Sequence, residues 1–268
     1  MSLDNYEAFK DEVLKLTKID LSAYKEKQMR RRIDSLVTKH ECKSYPEYVK
    51  LLTSDSSVFD EFVNFLTINV SEFYRNPEQW ELLDKEFFPE LIKKFGKNLT
   101  IWSAACSTGD EPYSLVMALS RHLDLKQIKI TATDLDKQVI AQAKTGLYSE
   151  KSIANVPADL KKKYFTQVGK SYQISDEIKS RVTFKEHNLL KDPYVKNCDM
   201  IVCRNVLIYF TEEAKHDVYV KFEQSLKENG ILFIGSTEQV LDYKKIGYKR
   251  RYSFFYEKDA ATKAENNK

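Results

Sequence analysis

From residue 99 onwards, short β-rich runs alternate with amphipathic stretches of helical length, and this alternation limits the possible folds more than any other feature. Residues 99–105, 129–133, 182–185, 200–203, 231–235 and 252–256 read as strands. Between them run helical patterns, one carrying Leu115, Val116 and Leu119, one carrying Val139, Ile140 and Ala143, and one that Thr211 caps and that ends at Gly230. Parallel neighbours need a crossover of helical length, so the pattern predicts βαβ units, a parallel sheet and helices on both of its faces. Residues 166–181 interrupt it: 171–174 read as an extra strand followed by a turn at Ser175-Asp176, a small β insertion.

The first 70 residues have a different texture and read as helices only. Tyr6, Phe9, Val13 and Leu16 recur at helical spacing, as do Met29, Ile33, Leu36 and Val37 after Ser22. Ser44-Tyr45-Pro46-Glu47 has the form of a capping box opening a third helix with Tyr48, Leu51 and Leu52; Val58, Phe59, Phe62, Phe65 and Leu66 mark a fourth. Asn76-Pro77 reads as a cap followed by a first-turn proline, with Trp80, Leu83, Phe87, Leu91 and Phe95 on the buried stripe. The expected organisation is an all-α domain over 1–70, a linker and connecting helix over 71–98, an α/β domain over 99–258, and a polar, disordered tail over 259–268.

Composition excludes several classes. With 42% apolar residues the 268-residue chain can bury a core, and a net charge of +3 argues against coating nucleic acid by bulk charge. No apolar run approaches the roughly 18 residues of a membrane span, and the first residues lack the basic and apolar regions of a signal peptide. Cys42, Cys106, Cys198 and Cys203 form no CxxC pair, so free thiols in a reducing cytoplasm are expected and no metal site.

Parallel sheets bind ligands at the carboxyl ends of their strands. The loop after the first strand, Ala105-Cys106-Ser107-Thr108-Gly109-Asp110-Glu111, holds a single glycine, whereas a pyrophosphate needs a Gly-rich turn with free N–H groups. Asp110 and Glu111 at the helix entrance would repel a phosphate and suit a cationic or amino-bearing ligand; alternatively, acidic residues there only complement the helix dipole. Asp134, ending the second strand, can accept hydrogen bonds from a ribose diol. Ribose recognition beside an acidic loop points to S-adenosylmethionine, which carries a sulfonium and an ammonium in place of phosphate.

Four segments then carry a family resemblance: 67–76 (TINVSEFYRN), 102–114 (WSAACSTGDEPYS), 187–190 (HNLL) and 201–210 (IVCRNVLIYF). In this order they resemble the CheR chemotaxis methyltransferases, over nearly the whole chain to about Lys258. The chain departs at Asp110, where the family more often has Glu. The resemblance implies a Rossmann-like class I S-adenosylmethionine-dependent methyltransferase fold with a small all-α N-terminal domain and a small β insertion. It implies an α/β protein-glutamate O-methyltransferase that acts on methyl-accepting chemotaxis receptors and releases S-adenosylhomocysteine. It also implies roles: Asn69, Ser71 and Arg75 touch the cofactor, Glu111 binds its ammonium, Asp134 its ribose, Asn188 and Leu189 flank the adenine, and Arg204 and Asn205 close the pocket.

A glutamate side chain is already ionised at neutral pH, so the chemistry needs alignment and water exclusion more than a base. Arg75 is the candidate for steering the acceptor carboxylate and Tyr209 for an orienting hydrogen bond, and His187 is expected to be structural. Amine methylation is disfavoured because the turn after the fourth strand reads Arg204-Asn205-Val206, with no proline. A sensor that keeps the cofactor without turnover, and a nucleic-acid methyltransferase, are the other readings weighed. Lys25, Lys27, Arg30, Arg31 and Arg32 predict a solvent-facing basic ridge, with Lys27, Arg30, Arg31 and Arg32 the candidates for docking acidic receptor helices. A cytoplasmic monomer with no nucleic-acid partner and no membrane insertion is expected.

Overall fold

The structure is a computed structural model and describes residues 5–67 and 71–262. The chain forms two compact units: one of residues up to Asn69 together with Leu207–His216, the other of Val70–Val206 and Asp217–Lys268.

The first unit contains helices α1 (Tyr6–Thr17), α2 (Glu26–Lys39), α3 (Tyr45–Ser54) and α4 (Ser56–Thr67). Their apolar stripes meet in a core where Phe9, Val13, Ile33, Tyr48 and Phe62 are fully buried and Phe9 stacks on Tyr45 with ring centres 4.6 Å apart. Ser44 caps α3 by accepting the Glu47 N–H, while the Glu47 carboxylate reaches the Lys43 N–H, not that of Ser44, so the capping box is displaced by one residue. Leu207–His216 joins this unit through backbone bonds from Lys25 N–H to the Tyr209 carbonyl (2.9 Å) and from Thr211 N–H to the Ala23 carbonyl (2.9 Å).

The second unit opens with α5 (Pro77–Leu82) and α6 (Phe88–Phe95), joined by a π-turn over Leu83–Phe87. The turn lies just ahead of Pro89, whose missing N–H interrupts the α-helical ladder. Next come β1 (Ile101–Ala104), α7 (Asp110–Leu119), β2 (Ile130–Asp134), α8 (Lys137–Thr145), β3 (Leu147–Ser149), α9 (Ala158–Tyr164), β4 (Phe165–Val168), β5 (Ser171–Ile174) and α10 (Asp176–Lys179). They are followed by β6 (Val182–Glu186), β7 (Cys198–Cys203), α11 (Glu212–Ser225), β8 (Leu226–Ile234), α12 (Tyr243–Ile246), β9 (Tyr248–Tyr252) and β10 (Phe255–Lys258). Seven strands form one sheet in the order β6-β2-β1-β7-β8-β10-β9. The first five are parallel, and β10 inserts antiparallel between β8 and β9. The central strands β1 and β7 are buried along their whole length, as a sheet covered on both faces requires.

Three expectations need correction. The run 252–256 is not one strand: Ser253-Phe254 form a tight turn between β9 and β10, with a lone serine and no Gly, Pro, Asn or Asp to mark it. The helix after Thr211 ends at Ser225, and Gly230 lies inside the irregular strand β8, not at a helix end. The β insertion is a three-stranded sheet, β3-β5-β4, that recruits Leu147–Ser149 from outside 166–181; the segment after Ser175 forms the short helix α10.

Candidate active site

The parallel strands end along one edge, where Thr133 lies beside Ala104, Asp134 beside Glu186, and Cys203 beside Ile234. Read along the sheet, the segments at this edge follow in the order His187–Leu189 after β6, Asp134 on β2, Cys106–Glu111 after β1, Arg204–Asn205 after β7 and Gly235–Glu238 after β8. The order reverses direction on either side of β1, which is where such sheets open a ligand crevice.

The loop after β1 must fold back tightly to start α7. Gly109 adopts φ +88°, and a Cβ there would lie 2.8 Å from the Ala143 side chain, so the single glycine of the loop is required by its backbone and its packing. Asp110 is 0% exposed: its carboxylate accepts the Thr108 and Ser152 hydroxyls (2.5 Å each), and Ser71 bonds to it as well. Of the two readings of Asp110, the ligand contact is not the one its burial and internal bonds support. Asp110 knots the loop internally, holds Ser71 in place, and burial raises its pKa.

Glu111 is the acid of that loop that keeps some exposure. Its side chain is 13% exposed, accepts the Ser103 hydroxyl (2.8 Å) and lies 3.8 Å from the Arg204 guanidinium. Burial pushes its pKa up to about 7, with Arg204 opposing. Asp134 accepts the backbone N–H groups of Ser107 (2.8 Å) and Asp136 (3.0 Å), and burial pushes it up to about 6. It thereby pins the β1 loop to the end of β2, a bond reinforced by Cys106 N–H on the Thr133 carbonyl (2.9 Å).

Arg204 is 2% exposed at the side chain and is more a hub than a pocket wall. One Nη donates to the Arg75 carbonyl (2.8 Å), Asn76 Oδ1 (3.1 Å) and Gln79 Oε1 (2.8 Å), while the guanidinium lies over the Phe233 ring at 4.6 Å. Asn76, in the left-handed region at φ +61°, makes no capping bond to α5; its side chain serves Arg204 instead. The Arg75 carbonyl also accepts the Trp80 indole N–H (3.0 Å), and the Arg75 guanidinium is near enough to Glu111 to lower its pKa. Asn205, at φ +61°, donates its N–H to Glu238, a residue that the sequence reading missed.

At the far end of the row, Asn188 uses Oδ1 to accept the Leu190 N–H (2.9 Å) and its own N–H to bond Asp192 (2.7 Å), a closed turn beside buried Leu189. His187 is packed edge-on against Trp102 at 5.4 Å and bonds the Pro193 carbonyl; burial lowers its pKa, in keeping with a neutral structural ring. Tyr209 belongs to the first unit, where it sits in the turn Leu207–Tyr209. Asn69 lies outside the described residues.

The docking ridge is narrower than expected. Lys27 and Arg31 are exposed, but Arg30 lies over the Tyr6 ring at 5.2 Å and bonds Tyr45. Arg32 turns into the core: it donates to the Phe65 carbonyl (2.6 Å), stacks on the Phe65 ring at 4.2 Å, and burial lowers its pKa.

The residues at the sheet edge fit the expected cofactor. Ser107 Oγ and Asn205 Oδ1 are buried there with no hydrogen-bond partner in the protein, a state that costs about 1–3 kcal/mol for each atom unless a ligand or water supplies a partner. Glu111 keeps some exposure in the loop where phosphate binders carry several glycines and this chain has one. This sheet and donor set define an S-adenosylmethionine-dependent methyltransferase of the Rossmann-like α/β class.

Comparison with known proteins gives the family. The model described as CheR methyltransferase, SAM binding domain, matches residues 69–252, and CheR methyltransferase, all-alpha domain, matches residues 4–67. The chain belongs to the CheR methyltransferase family. It is 42% identical to a chemotaxis protein methyltransferase of Listeria innocua, covering 89% of this chain and 91% of that one. It is 32% identical to one of Borreliella burgdorferi (91% and 93%) and 35% identical to chemotaxis protein methyltransferase 1 of Pseudomonas aeruginosa (87% and 89%). Among the described residues no helix is long and apolar enough to cross a membrane.

Proposed function

We propose that this methyltransferase esterifies glutamate side chains in the cytoplasmic helical region of chemotaxis receptors. The observation that carries the reading is the order of groups along the sheet edge. Asn188 and Leu189, then Asp134, then Glu111, then Asn205 repeat the order adenine, ribose, methionine found in S-adenosylmethionine. When bound, the cofactor supplies a methyl group on a sulfonium, open to displacement by a carboxylate oxygen.

In this reading the chain's own residues bind and align. Asp134 accepts the ribose hydroxyls beside the backbone N–H groups that fix its carboxylate. Glu111 receives the ammonium, and Arg204 holds Glu111 and the Arg75–Gln79 segment in one arrangement. Ser71 belongs to the same binding set through its bond to Asp110. Arg75 draws the acceptor carboxylate toward the reacting line. Lys27 and Arg31 steer an acidic receptor helix, chiefly through the rate of encounter.

The test is incubation with receptor cytoplasmic fragments and methyl-labelled S-adenosylmethionine, followed by mild base. Label released as volatile methanol and mapped to glutamates supports the reading. Label that survives base, or that lies on nitrogen, defeats it.

A further inference from the structure

Glu238 lies outside every motif that carries the resemblance, yet its carboxylate accepts three backbone N–H groups at the sheet edge. It follows β8 in Gly235-Ser236-Thr237-Glu238 and is buried at 7% exposure. Its Oε2 accepts two backbone N–H groups, from Asn205 (2.8 Å) and Gly235 (2.7 Å), and Oε1 accepts that of Val206 (3.1 Å). One side chain therefore ties the turn after β7 to the turn after β8.

The approach of these turns leaves no spare volume. A Cβ at Gly235 would lie 2.6 Å from the Asn205 nitrogen and 2.6 Å from Glu238 Oε2. Asn205 is held in the left-handed region at φ +61°, a conformation that Asn tolerates but must be fixed in from outside, and its Oδ1 is buried without a partner. A fixed backbone beneath an unsatisfied acceptor is how a preorganised binding group is built. Glu238 also lies close enough to Glu111 to raise its pKa, so both belong to one electrostatic neighbourhood at the β1/β7 end of the edge.

We propose that Glu238 is a positioning residue: it sets the Asn205 turn so that Asn205 Oδ1 meets the α-ammonium of the cofactor's amino-acid end. This rests on the cofactor orientation given under Proposed function. An amide at position 238 keeps the shape but turns an NH2 toward at least one of the three backbone donors, which loosens the turn.

The experiment is calorimetric titration of wild type, Glu238→Gln and Gly235→Ala with S-adenosylhomocysteine and with 5′-methylthioadenosine, which keeps adenine and ribose but lacks the amino-acid end. Circular dichroism and thermal melts establish folding. Gly235→Ala displaces the turn while keeping the carboxylate charge. The expected result is a loss of about tenfold or more in S-adenosylhomocysteine affinity for both variants, with methylthioadenosine affinity changed less than about twofold. Equal losses for both ligands would make Glu238 a general structural residue. A loss in Glu238→Gln alone would reduce its role to charge; either result overturns the proposal. If wild type binds neither ligand, or binds methylthioadenosine as tightly as S-adenosylhomocysteine, the cofactor orientation itself has failed.

Discussion

If Glu111 receives an ammonium, cofactor affinity must depend on pH near neutrality. Burial holds this carboxyl at about 7, so near that pH it is part protonated in the empty protein. A cation binds the ionised form, and the apparent affinity scales with the ionised fraction. The sign follows: affinity rises as pH climbs through 7 and levels off above it. Between pH 8 and pH 6 the dissociation constant should grow by about tenfold, and each further unit of acid by another factor approaching ten, or about 1.4 kcal/mol. Asp134, at about 6, steepens the loss below that pH because ionised oxygens accept the ribose hydroxyls best. Calorimetry with S-adenosylhomocysteine at pH 6, 7 and 8, in buffers of differing ionisation enthalpy, reads both the affinity and the protons released. About half a proton should leave per ligand bound at pH 7. Glu111→Gln should weaken binding and flatten the profile above pH 6.5. A flat wild-type profile with no proton release would refute the assignment of Glu111 to the ammonium. The unliganded protein should show the opposite trend: a carboxyl raised by folding favours the protonated folded state, so the contribution of Glu111 to stability declines as pH rises from about 4.5 to 7.

Arg204→Leu should unfold in urea at markedly lower concentration, by about 3–5 kcal/mol, because it strands buried Glu111 and the acceptors on Arg75, Asn76 and Gln79. Lys27→Glu with Arg31→Glu should slow receptor methylation at low salt with folding intact, whereas Arg32→Ala should lower thermal stability by about 1–3 kcal/mol through the lost Phe65 bond; equal melting temperatures for the two variants would contradict the inward placement of Arg32.

The parts that were legible in the sequence are those where a local pattern and burial agree. Helices α1 to α4 and the central strands are marked by apolar spacing that tertiary packing preserves, and the Gly109 loop by its composition. Three kinds of feature were hidden. The turn at Ser253-Phe254 carries only a lone serine as a signal, and strand β3 is three residues long and defined by its pairing with β5. The inward placement of Arg32 depends on which carbonyl its long side chain reaches, and that partner is 33 residues away. The roles of Asn76, Asp110 and Glu238 depend on bonds across the fold. Asn76 resembles a helix cap and serves an arginine 128 positions on, and Asp110 resembles a ligand acid and is sealed by a serine 42 positions on. Glu238 had one faint signal, an acid three residues after a glycine at the end of a strand.

The membership of Leu207–His216 in the helical unit has a practical consequence for anyone who dissects this chain. Its strand-like bridge from Phe210 to Tyr24 and the bonds from Lys25 and Thr211 are supplied by a segment more than 180 residues downstream. A cut after residue 70 therefore yields neither an intact bundle nor a clean remainder: the fragment lacks its own closing piece, and the truncated enzyme carries that piece with nothing to clasp. Chimeras that exchange substrate preference between relatives need two junctions on either side of this decapeptide besides the one at the end of α4.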